Sequence, residues 1–249
     1  MKKSAVVFHA APTPRAAPAT GLAAASLLLV VAWRMIPPVR GHLSRGRPSG
    51  FWQGYVELFR VPNHWWGFAT SALLTLSGML VIPYVAASRV HSEGMSETEL
   101  SWFYLVGGAV TLFTRPLFGR LSDRYPRAVV YYWLMLFSIV PMVLITHRTG
   151  VAFGWQLAIS ALFFIFVSGR FVPATALLTS ATTPALRGRM MAFGGAIQNL
   201  FTGLAAAVGG AMLQKASDGH LMGYEAVGYL ACLCGMLSLW TAFKVRAVS

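Results

Sequence analysis

Arg120, Asp123, Arg124 and Arg127 fall within eight residues of the stretch FGRLSDRYPRAVV, 118–130, with an apolar run on either side. Such a cluster reads first as a basic loop that fixes topology, which accounts for the arginines but not for Asp123 or the Gly119 spacing. Asp123 and Arg127 are four apart, so they can pair if the stretch is helical. Pro126 restricts Tyr125 and argues for a break there. Arg170 stands alone inside another apolar run. A lone charge in such a run costs roughly 2.5–3.5 kcal/mol on membrane insertion, so it normally faces a cavity or a partner. Snorkelling to the interface is the competing reading, and the distance from Arg170 to the next basic loop favours the interior role. Pro173 loosens the helix beside it. Gln198 and Asn199 are amides inside a further apolar run, where they either bridge helices or line a cavity. Arg115 with Pro116 reads as an interface anchor, and Glu225 as a solvated acid at a segment end.

No set of residues assembles an enzyme site. The patterns G-x-S-x-G and H-E-x-x-H are absent, as is a phosphate-cradling glycine loop with a lysine. The six histidines are scattered without metal spacing. Cys232 and Cys234 are two apart in an apolar run and, on a helix, do not face each other. No catalytic residue, metal or cofactor is expected.

These residues need a scaffold, and composition limits what it can be. The 249 residues are 56% hydrophobic and 11% charged, against about 25% charged in soluble domains. Lys and Arg outnumber Asp and Glu by 20 to 7. The basic residues lie between apolar runs rather than on one face or in a tail. They read as the positive loops of a multispanning membrane protein, not as a nucleic-acid footprint. Seven apolar segments cover 21–36, 65–87, 100–118, 129–147, 151–179, 190–213 and 221–243. A spanning helix needs roughly 20 residues. Six segments fit, while the first is short and carries Arg34 near its end. Unpaired backbone in lipid is too costly for anything but helices or closed barrels, and continuous apolar runs exclude the alternating barrel pattern.

The expected fold is an all-α integral membrane protein. A tail, 1–20, is followed by a first transmembrane segment, 21–36, a basic loop, 37–63, and a six-helix bundle, 64–249. The tail is not read as a signal peptide, because its apolar run begins far from Lys2 and Lys3. Basic and less basic loops alternate, which places the Arg120 loop, the Arg187 loop and the C-terminus in the cytoplasm. A bacterial inner membrane is the expected location. Tyr84, Trp102, Tyr104 and Trp155 sit at segment ends as interfacial aromatics.

GRLSDRYPR resembles the loop signature of the major facilitator superfamily, G-x-L-[AS]-D-R-x-G-R-[KR]. Gly119, Leu121, Ser122, Asp123, Arg124 and Arg127 match, while Pro126 replaces the second glycine and Ala128 the last basic residue. The neighbouring stretches fit as well. PPVRGHL, 37–43, resembles the start of the central loop. MLVIPYVAASRVHSEGMSETELSWFYLVGG, 79–108, resembles the seventh helix, its outer loop and the eighth helix. SGRFVPATALLTSATTPALRGRMMAF, 168–193, resembles the tenth helix, its basic loop and the start of the eleventh. GLAAAVGG, 203–210, is weakly similar to a glycine-rich antiporter signature but lacks its Gly-Pro.

The resemblance implies the sixth to twelfth helices of a twelve-helix transporter of the sugar- and drug-efflux branch. The chain would be a C-terminal half, with the sixth helix starting outside. It implies proton-coupled efflux of a small molecule by alternating access. Gly119, Arg120, Asp123, Arg124 and Arg127 would form a gating loop, with Asp123 pressing on a helix N-terminus of the opposite bundle. Arg170 would resemble an arginine of the family's fourth helix that is tied to proton coupling or substrate binding. The glycine pairs 107–108, 194–195 and 209–210, together with Gly203, are expected to permit close helix packing. The partners so implied are the lipid bilayer, a small-molecule substrate, protons, and an N-terminal half or a second copy of the chain. A non-transporting membrane subunit or inactive fragment that keeps the half-fold is the alternative.

Overall fold

The computed structural model describes residues 26–27, 29–32, 34–35, 51–147, 150–215 and 221–248. The chain divides into two units, Met1–Pro48 and Ser49–Ser249. In the first unit the described residues are helical and exposed. The tail 1–20, residues 21–25, 28, 33 and 36 of the expected first segment, residues 37–50 of the expected basic loop, and Asp218 lie outside the described residues.

The second unit is built from helices. They are α1 (Phe51–Arg60), α2 (Pro62–Met79), a 3-10 turn (Ile82–Tyr84), α3 (Val85–Glu93), α4 (Glu97–Arg124), α5 (Arg127–Thr146), α6 (Phe153–Gly169), α7 (Phe171–Ser180), α8 (Arg187–Met212) and α9 (Tyr224–Lys244). A two-residue antiparallel ladder, β1 (Gln214–Lys215) with β2 (Leu221–Met222), ties the α8–α9 loop with Gln214 opposite Met222. Among the described residues five stretches are long and apolar enough to cross a membrane: Pro62–Glu93, Arg127–Thr146, Phe153–Ser180, Arg187–Met212 and Tyr224–Lys244. The protein is an all-α integral membrane protein. At 28 residues, α4 matches them in length but is less apolar, because Arg115, Arg120 and the charged residues of its last turn interrupt it.

Local chemistry explains the boundaries. Ser96 caps α4: its hydroxyl accepts from the Glu99 N–H at 3.3 Å, while the Glu99 carboxylate accepts from the Ser96 N–H at 2.9 Å. This is a capping box, which satisfies two backbone donors reciprocally. At its other end α4 stops at Arg124, because the residue before a proline is pushed out of the helical region. Tyr125 is extended, with φ −118° and ψ 160°, and Pro126 caps α5. Gly94 ends α3 at φ 69°, a left-handed C-cap where glycine avoids the Cβ clash.

The Ser96 N–H and hydroxyl hold the Glu99 carboxyl below the usual carboxylate range. Its contribution to the cap is therefore present above the ordinary carboxylate pKa, and is lost as pH falls through the lower, folded value. Amide exchange at the start of α4 is expected to speed up only below the normal carboxylate range. Ser96→Ala, which costs about 1 kcal/mol of cap stability, should show the fast exchange at every pH. Exchange that accelerates already at the ordinary carboxylate pKa in the wild type would count against the cap.

In the second unit α8 packs on α2, α2 on α9, α9 on α5, α5 on α6, and α6 on α4, while α7 packs against α2, α4 and α5. Side chains in lipid gain little from the hydrophobic effect, so contact depends on small residues and interhelical hydrogen bonds. Thr70 donates to Thr241 at 2.9 Å, Ser160 to the Phe103 carbonyl at 2.7 Å, and Tyr224 to the Val81 carbonyl at 3.1 Å. Asn63 fastens one end of the bundle. Its amide donates to the Ala181 carbonyl at 3.0 Å and the Arg246 carbonyl at 2.7 Å, and its carbonyl accepts from the Arg246 N–H at 2.8 Å.

The opposite end is held by a residue that the sequence placed in a polar loop. Arg89 lies on α3 and is 1% exposed. Its guanidinium donates to the Ile145 carbonyl and, at 3.5 Å, to the Leu144 carbonyl, at the C-terminus of α5. It also pairs with Glu93 at 3.6 Å, and Glu93 in turn accepts from the Gly150 N–H at 3.2 Å. A cation at a helix C-terminus meets the negative end of the dipole. One expectation about the aromatic residues changes. Tyr84 points inward rather than toward the interface: its hydroxyl donates to the Ala206 carbonyl at 2.5 Å, and its ring packs where Gly209 and Gly210 leave room. A Cβ on Gly203, by contrast, would meet nothing within 4 Å among the described residues. In the pairs 107–108 and 194–195 only the first glycine of each faces a neighbour, Phe164 and Leu178 respectively.

Candidate functional site

Arg170 occupies the break between α6 and α7. Pro173 explains the interruption: it has no N–H to give the Gly169 carbonyl, and its ring crowds that same carbonyl. Gly169 leaves room for the Phe118 ring of α4, so α4 can approach at the break. Arg170 is completely buried. One terminal nitrogen, Nη1, donates to Ser138 Oγ at 3.0 Å and lies 3.0 Å from Met135 Sδ, both on α5. Nε and Nη2 have no hydrogen-bond partner among the described residues. Nη2 lies against α2, 3.7 Å from where a Cβ on Gly78 would sit.

Around this guanidinium stand hydroxyls rather than acids. Tyr131 and Ser238 share a 2.5 Å hydrogen bond between α5 and α9, and Ser77 Oγ on α2 is buried without a partner among the described residues. The described carboxylates are elsewhere: Glu57 is on α1, Glu93 ends α3, Glu97 and Glu99 open α4, Asp123 is in its last turn, and Glu225 is in the first turn of α9. Arg170 is thus a buried cation without a counter-ion among the described residues, held by one hydroxyl and one sulfur. An arrangement of that kind can receive or release an anionic partner or respond to a moving proton.

Beside it lies a groove of about 430 Å³ between α2, α4 and the α6–α7 break. Arg115 lines it, with Met79, Ile82, Phe171, Val172, Ser168 and Thr175 among the other residues. Arg115, expected as an interface anchor, is exposed and borders this concavity.

The charged loop takes the break expected at Tyr125. Arg120, Asp123 and Arg124 are exposed. Asp123 makes no ion pair with Arg127 or with any other described residue. The turn at Tyr125–Pro126 separates the two, and Arg127 instead donates to the Ala176 carbonyl of α7 at 3.3 Å. Gly119 is inside α4, and a Cβ there would meet nothing within 4 Å, so it is not a point of close approach within this chain. Gln198 is half-buried and Asn199 exposed on α8, and neither side-chain amide forms a hydrogen bond among the described residues. The partners of Arg170 were not legible in the sequence, because hydroxyls in apolar runs are common and these come from α5, 32 to 35 positions away.

The Major Facilitator Superfamily profile matches residues 67–248, from early in α2 to beyond the end of α9. No curated protein and no solved structure shows a significant match to the chain.

Proposed function

The chain belongs to the Major Facilitator Superfamily and is a multi-pass membrane transporter of that type, and from this premise we propose that it moves a small molecule outward by alternating access. The bundle supplies the C-terminal half of the device. Arg170, buried at a helix break with two idle donors, carries this reading. Transporter folds place cargo and coupling sites at broken helices between two bundles. The opposing bundle comes from another part of the polypeptide, a separate subunit or a second copy. Coupling to protons would use an acid of that bundle, since the described carboxylates of this chain lie on α1, at helix ends or in end turns. The basic end, with Arg120, Arg124, Arg127, Arg187 and Arg189, faces the cytoplasm by the positive-inside rule.

Uptake of labelled solutes into proteoliposomes tests the reading, with the chain alone and with an N-terminal bundle supplied. Movement of any solute supports it. Failure of both preparations overturns it in favour of a non-transporting membrane subunit.

The exposed loop makes a separate prediction. Asp123→Asn is expected to slow transport about tenfold, the size of one lost carboxylate contact at a helix N-terminus of up to ~2 kcal/mol. The thermal unfolding temperature should stay the same, because the carboxylate has no partner among the described residues. Unchanged transport in D123N would remove Asp123 from the gate.

A further inference from the structure

Among the described residues three arginines of α2 to α9 are either fully buried or line the groove beside the α6–α7 break: Arg89, Arg170 and Arg115. Arg89 is neutralised by Glu93. Arg170 is buried behind the groove, its Nη2 near Gly78 in the same patch as Phe171 and Ile82, which line the groove. Arg115 is exposed into the groove and makes no hydrogen bond or ion pair among the described residues. It lies nine residues, about 14 Å by helical rise, from the end of α4 at Arg124. A guanidinium left open in a groove presents its donors to a carboxylate or phosphate, the acceptors it pairs with most strongly.

The rest of the groove limits the ligand further. Met79, Ile82, Phe171 and Val172 present apolar surface. The hydroxyls of Ser168 and Thr175 already donate to the Phe164 and Phe171 carbonyls, so only their lone pairs remain to accept. A volume of about 430 Å³ falls in the range of small-molecule sites.

We infer that the cargo is anionic, with a carboxylate or phosphate paired to Arg115 and an apolar body along α2 and α7. This inference rests on the transport reading above. Arg115 is the contact residue, and Arg170 adds positive field from behind the wall.

Binding is measured by calorimetry on the full chain in phosphatidylcholine nanodiscs, with benzoate, its neutral isostere benzamide, benzylammonium and inorganic phosphate as probes. Benzoate or phosphate should bind at least about tenfold more tightly than benzamide, the scale of one charge-assisted contact, and benzylammonium should not bind. Arg115→Gln should erase the preference and Arg115→Lys should keep part of it, with both variants unfolding at the wild-type temperature. Equal binding of benzoate and benzamide, no anion binding at all, or a preference that survives R115Q would each overturn the inference. Repeating the titration in phosphatidylglycerol discs separates the sources of the anion. Loss of the preference there means that a lipid headgroup fills the site, and the soluble cargo is refuted. An Arg115-dependent preference in a chain that moves no solute would keep the site and refute transport. Movement of neutral or cationic solutes alone, indifferent to R115Q, would do the reverse.

Discussion

Arg170→Met is expected to slow transport roughly 10- to 150-fold while leaving the bundle as stable as before, or more so. The two halves of this result have different causes. In the folded chain the guanidinium is fully buried, has one hydroxyl and one sulfur as partners, and leaves Nε and Nη2 unpartnered among the described residues. Replacing buried ionic groups by apolar ones of similar volume is often neutral or stabilising by about 1–4 kcal/mol. Methionine fills much of the same space beside Met135, and the Ser138 hydroxyl still donates to the Met135 carbonyl at 2.7 Å. If Arg170 serves cargo or coupling, its loss removes a hydrogen bond to a charged group, worth about 1.5–3 kcal/mol. That corresponds to roughly a 10- to 150-fold fall in rate. Thermal unfolding and vesicle transport, measured on the same preparation, decide the matter. A variant that melts well below the wild type while its residual folded fraction transports normally would make Arg170 a structural residue and nothing more.

Arg89→Ala should give the opposite pattern, a loss of roughly 3–5 kcal/mol, the cost of breaking a buried ion pair by removing one partner. Arg89 and Glu93 are 1% and 3% exposed in their side chains. Truncating Arg89 strands the Glu93 carboxylate and takes the donors from the Leu144 and Ile145 carbonyls at the end of α5. Glu93→Gln should cost less, because an amide still accepts from the Gly150 N–H and removes the charge together with its desolvation. Denaturation of the two variants in the same detergent gives the ordering. If R89A unfolds within about 1 kcal/mol of the wild type, the ion pair is not the clasp described here.

The contrast between these arginines shows what the sequence could carry. Arg170 was visible because one charge among apolar residues has few placements open to it. The break at Tyr125–Pro126 was visible because proline restricts its neighbour through local sterics. Arg89 was hidden in a stretch with three acids, which has the composition of a solvated loop. Its four-residue spacing to Glu93 was the available signal, but nothing local announced that the end of α5 would arrive beside it. The glycines illustrate the same limit. A helix apolar all round gives no period from which to read its rotation, so Gly209 against Tyr84 and Gly203 in the open look alike in the chain. Burial separates the helices more clearly: 11% of the apolar window of α8 is buried, against 44% to 61% for the other four candidate spans. That difference depends on neighbours far apart in sequence, and periodicity does not carry it.

The Asn63 clamp has a consequence for threading. It joins the residue just inside the start of α2 to Arg246, just past the end of α9. A chain that leaves where it came in has made an even number of crossings. α4 must then be counted as the sixth, although its arginines make it the least greasy of the set. Whatever is fused ahead of α1 and whatever is fused behind Arg246 would emerge into one compartment. A reporter at either position, or a protease supplied from one face, would find both ends together or miss both.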